Sequence, residues 1–102
     1  MPFEFVVLGQ DGAQEIAVPL NAELHHDFMA AASSAGLVFL QRFDDYYEDV
    51  QISVTNLPMM IEQVSVLQAS GCSSALRLFL SDLDSLISYA IASKKTLHAI
   101  AD

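Results

Sequence analysis

Basic residues are scarce in this chain: four Lys and Arg stand against thirteen Asp and Glu, a formal charge of −9 over 102 residues. A field of that sign repels phosphate backbones and anionic headgroups, which argues against nucleic acid or a membrane surface as a partner. The single cysteine, Cys72, cannot form an internal disulfide, which fits a reducing compartment and makes the cytoplasm the expected location. Long apolar runs are missing as well. The longest, residues 28–40, is broken by Ser33, Ser34 and Gly36, and Met1-Pro2-Phe3-Glu4 lacks a basic stretch ahead of an apolar one. Neither a membrane span nor a signal peptide is expected.

Catalytic patterns are equally sparse. Gly71-Cys72-Ser73-Ser74 is not a nucleophile elbow, and His25, His26 and His98 are all distant from Cys72 in sequence. Cys72 therefore reads as a small buried hydrophobe. His25 and His26 are adjacent, so on a regular helix their side chains diverge by about 100° and cannot grip one metal together. Asp44, Asp45, Glu48 and Asp49 lack the alternating spacing of a calcium loop, and Gly9-Gln10-Asp11-Gly12 is too short and too acidic for a phosphate loop. No catalytic, cofactor or metal residue is assigned, and the chain is not expected to be an enzyme.

What is present is a foldable composition. The apolar fraction is 53% and the charged fraction 17%, the reverse of a disordered chain. No linker divides residues 1–102, which read as a single globular domain. Phe3, Phe5 and Val7 alternate, and Gly9-Gln10-Asp11-Gly12 supplies turn chemistry before residues 15–18, so a β-hairpin opens the fold. Asn21 is placed to cap a first helix that Gly36 ends, with Leu24, Phe28, Ala31, Ala32 and Ala35 on one side. Residues 37–43 and 50–55 read as strands, a second hairpin or neighbours. Thr55 or Asn56 opens a second helix that holds Pro58, turns Leu57, Met60, Ile61, Val64 and Leu67 inward and ends near Gly71. Residues 75–80 alternate like a strand, although so short a run serves equally to begin a long helix. Ser81-Asp82-Leu83-Asp84 has the form of a capping box for a last helix whose final turn holds Lys94 and Lys95. The expected class is α+β: a ferredoxin-like split βαβ sheet with helices on one face, an extra N-terminal strand and a C-terminal helix.

The most informative segment is Arg42-Phe43-Asp44-Asp45-Tyr46-Tyr47-Glu48-Asp49, with four carboxylates and two tyrosines. Unpaired carboxylates resist burial, whereas tyrosines offer wide, rigid contact area. Asp44, Asp45, Tyr46, Tyr47, Glu48 and Asp49 are thus candidate partner-binding residues. A solvated loop is the competing account. If the run is extended, one tyrosine should face out and the other pack inward. Met59 and Val66, opposite the inward stripe of the second helix, form a smaller candidate strip that another helix or a homodimer partner would also explain. These features point to a small inhibitor of the immunity-protein or antitoxin kind, binding a basic protein such as a toxin or nuclease. The alternative is a regulatory domain that binds a small ligand at the amides of the helix beginning near Leu57.

Overall fold

A computed structural model describes residues 3–9, 12 and 14–101. Strand β1 (Phe3–Leu8) pairs with β2 (Gln14–Leu20) in the expected opening hairpin. In its turn, Gly12 donates its N–H to the Gly9 carbonyl at 3.0 Å from a backbone with φ +81°, a conformation that favours glycine. Gln10 and Asp11 lie outside the described residues. Helix α1 (Ala22–Ser34) starts where Asn21 accepts the Leu24 N–H at 2.8 Å. It stops at Gly36, φ +69°, where the Gly36 and Leu37 N–H groups donate to Ser33 and Ala32, satisfying carbonyls that would otherwise be orphaned. Strand β3 (Val50–Ile52), helix α2 (Leu57–Gln68), helix α3 (Ser74–Ser93) and strand β4 (Leu97–Ala101) follow.

The protein is α+β, the described residues forming four antiparallel strands in the order β2-β1-β4-β3 and three α-helices. Phe3, Phe5 and Val7 of β1, Val18 and Leu20 of β2, Ile52 of β3 and Leu97 and Ala99 of β4 share one core with the buried residues of all three helices. Of the residues of alternate register, Glu4, Ala17, Pro19 and His98 are partly or fully exposed on the other face, whereas Val6 between Ala17 and His98 is buried there. Among the described residues no helix is long and apolar enough to cross a membrane.

The ferredoxin-like split βαβ order is not reproduced, because two strands it requires are helical. Residues 37–43 contain a 3-10 turn at Leu40–Phe43, since a helical bend is what turns Phe39, Leu40 and Phe43 into the core together. The second strand is only Val50–Ile52; its partner is β4, so there is no second hairpin, and Val54–Asn56 is another 3-10 turn leading into α2. Asn56 stands at the cap position of α2 without a side-chain cap bond.

Residues 73–80 lead into and begin α3, which runs for 20 residues. Leu76, Phe79, Leu80, Leu83, Leu86, Ile87 and Ala90 form an unbroken i, i+3/i+4 stripe, and the strand-like alternation fails at Leu78, which is 69% exposed. Ser81-Asp82-Leu83-Asp84 is therefore helix interior. The cap is Ser73, whose hydroxyl accepts the Leu76 N–H at 3.3 Å. Lys94 and Lys95 fall beyond the last turn, Lys94 in the left-handed conformation at φ 56°. Nor is β1 an addition at the sheet's margin: it lies inside, between β2 and β4, and the last helix is followed by β4.

Two expectations test this arrangement. Ile52→Ala or Met60→Ala, each at a fully buried site, should lower stability by about 2–5 kcal/mol in chemical unfolding. Ser73→Ala should cost about 1 kcal/mol as a lost cap, whereas Ser81→Ala should be neutral or slightly stabilising in the interior of α3. The reverse order would mean that the helix begins at Ser81.

Candidate recognition surface

The segment from Asp44 to Asp49 crosses one end of the sheet, where β1 begins, β2 and β4 end, and β3 starts. It is tied down from several sides. His25, only 8% exposed on α1, places Nε2 2.6 Å from the Phe43 carbonyl, a contact that requires the proton on that nitrogen. Tyr46 donates its hydroxyl to the Leu20 carbonyl at 3.0 Å, and its ring stacks on Phe3 with centroids 5.5 Å apart and meets His25 edge-on at 4.9 Å. Asp49 accepts the Ala101 N–H at 2.7 Å. Within the loop, Asp45 accepts the Tyr47 N–H at 2.9 Å and the Glu48 N–H donates to the Asp45 carbonyl at 3.2 Å. Asx-type bonding of this kind stabilises a turn, not a strand.

The two tyrosines consequently separate. Tyr46 is half-buried and structural, while Tyr47 is 78% exposed with its ring edge-on to Tyr46 at 5.5 Å. A turn, not an extended strand, produces the division. Asp44, Asp45, Glu48 and Asp49 are all exposed around Tyr47. Arg42, the cation of the run, lies over the Phe39 ring at 3.8 Å, and the one ion pair among the described residues is Lys95 with Glu15 elsewhere. The loop thus presents one aromatic ring amid carboxylates on a fixed backbone. His25 reads in the sequence as a structural or solvated histidine at the edge of an apolar face, but the partners that make it and Asp49 fasteners lie 18 and 52 residues away and had no signal there.

Met59 and Val66 are 53% and 45% exposed on α2, an element separate from the loop. Gln63 between them accepts the Leu40 N–H at 3.2 Å, which brings the 38–40 segment against this side of α2. Val38, two residues before Leu40, is 76% exposed. Sequence reasoning missed it because residues 37–43 read as a strand.

Other chemistry is thin. Cys72 is only partly buried, in the turn between α2 and α3. Among the described residues no cluster of three His, Cys, Asp or Glu side chains could hold a metal. The amides expected to bind a small ligand near Leu57 follow directly on the 3-10 turn Val54–Asn56, and the Leu57 N–H is used by the Val54 carbonyl. Lys95 has its pKa held above the ordinary 10.5, chiefly by its bond to Glu15. Glu15 also accepts from the Tyr89 hydroxyl at 3.0 Å. Comparison with protein-family models, curated proteins and solved structures finds no match to this chain.

Proposed function

We propose that this protein is a binding module that neutralises a basic protein partner, as inhibitors of the immunity or antitoxin kind do, through the acidic loop centred on Tyr47. The observation that carries the reading is the pairing of a 78% exposed tyrosine with surrounding carboxylates on a loop whose backbone is already fastened. A rigid aromatic anchor loses little entropy on binding, and a preformed loop avoids the cost of ordering at the interface. The carboxylates carry no ion pairs among the described residues, so a cationic partner would relieve their mutual repulsion and be steered by their field. A single thiol suits a cytoplasmic setting.

The experiment is capture of the protein with its basic partner, followed by association and dissociation rates at two salt concentrations. Tyr47→Ala should accelerate dissociation by about 30-fold, the equivalent of about 2 kcal/mol for a central anchor. Asp44→Asn and Glu48→Gln should mainly slow association and flatten its salt dependence, because exposed charges act over roughly 8 Å at physiological salt. Tyr46→Phe, which removes the bond to Leu20, should cost about 1 kcal/mol of stability and alter binding little. Unchanged kinetics in the Tyr47 and carboxylate variants would assign recognition to another face.

A further inference from the structure

Strand β2 is an outer strand of the sheet, and α3 runs beside it. Between them lies an open groove of about 290 Å³, with Ile16, Val18 and Leu86 supplying an apolar floor and Asp82 and Ser85 a polar wall on the helix. Ile16 is 39% exposed there although it sits in the β1–β2 register opposite Val7, whose side chain belongs to the core. The pair of Glu15 with Lys95, together with the Tyr89 hydroxyl, ties β2 to the far end of α3 near the groove.

The strand edge beside this groove has hydrogen-bonding capacity to offer. Pro19 faces Glu4 on β1 and has no N–H to give, so it occupies a non-hydrogen-bonded position of the antiparallel pair. Alternation puts Ala17, opposite Val6, in the same kind of position, with its N–H and carbonyl directed away from β1. Pro19 keeps an outward carbonyl. An incoming strand would bond to Ala17 and Pro19 and drop alternate side chains onto Ile16, Val18 and Leu86. The opposite edge, β3, has three residues and offers much less.

Charge selects the occupant. Asp82 stands on the groove wall with no ion pair among the described residues, Lys95, past the end of α3, is engaged by Glu15, and the chain carries −9. A second copy would bring the same acids and the same net charge to both sides of the seam. We infer that the β2–α3 groove binds an extended, lysine- or arginine-containing peptide segment of a partner protein as an added strand on β2, with its cation at Asp82 and its apolar side chains over Ile16 and Leu86. This surface does not depend on the acidic loop being a recognition site.

The test pans a displayed library of random decapeptides on the intact protein, then measures selected peptides by fluorescence anisotropy and amide chemical shifts. Peptides with alternating β-branched residues and a Lys or Arg are expected, shifting the Ala17 amide and residues around Asp82. Asp82→Lys, a change on the exposed side of α3, should weaken them roughly fivefold or more with an unchanged unfolding midpoint. Ala17→Pro, which removes the edge donor, should weaken them further, and Asp82→Lys keeps the test decisive if that variant fails to fold. Failure to select any peptide, selected peptides that shift only the Tyr47 loop, affinity indifferent to Asp82→Lys, or self-association through β2 in sedimentation would each overturn the inference. Loss of the Tyr47 effect on the captured basic partner would leave it standing.

Discussion

Burial of Phe3 and Phe5 on the inner face of β1 is the constraint on which the remaining structure depends. A strand flanked on both edges has no backbone left to give, so its orienting influence comes through side chains. Phe5 meets Phe43 edge-on at 5.1 Å and lies 6.0 Å from Phe79, and Phe79 in turn meets Phe28 at 5.3 Å. One ring thereby relates the 3-10 turn and α3, and through Phe79 also α1. Phe3 does the same for the loop, as the surface on which Tyr46 stacks. Aromatic pairs prefer edge-to-face or offset geometry, so these contacts orient elements as well as burying area.

Polar groups drawn into that aromatic layer then determine how the loop is held. A buried imidazole and a half-buried phenol need partners, because an unpaired polar group away from water costs about 1–3 kcal/mol. The carbonyls of Phe43 and Leu20 provide them, and no buried side-chain nitrogen or oxygen among the described residues is left without a partner. The same bonds that satisfy His25 and Tyr46 bring Asp44 to Asp49 over the sheet end and leave Tyr47 outside. The two adjacent tyrosines are thus divided, Tyr46 facing the core in a structural role and Tyr47 facing solvent.

The excess of acid gives both proposed surfaces a common electrostatic logic. Carboxylates around Tyr47 and Asp82 beside the β2 edge lie where a cationic partner would gain and another copy of the chain would be repelled. Repulsion between copies also protects an edge strand from pairing with itself, a task that Pro19 shares by removing one donor from β2.

The sequence alone determined what short-range physics decides. Alternation at Phe3, Phe5 and Val7 with glycines after them makes a hairpin, Asn21 and Gly36 bound α1, and the four carboxylates of residues 44–49 stay exposed. Where local preference is balanced, tertiary packing decided. Residues 73–80 fit a strand or a helix by pattern, and only burial of Leu76, Phe79 and Leu80 in register with Leu83 to Ala90 makes them the first turns of α3. Residues 37–43 bend because Phe39, Leu40 and Phe43 must reach one core, and residues 97–101 become a central strand because β1 has an edge to satisfy and β3 needs a neighbour. The same holds for the loop and the groove: which tyrosine faces out depends on Phe3 and Leu20, and the groove exists only once α3 lies beside β2. Contacts separated by tens of residues are set by burying apolar area and satisfying backbone bonds in three dimensions, a requirement that neighbouring residues in a chain do not encode.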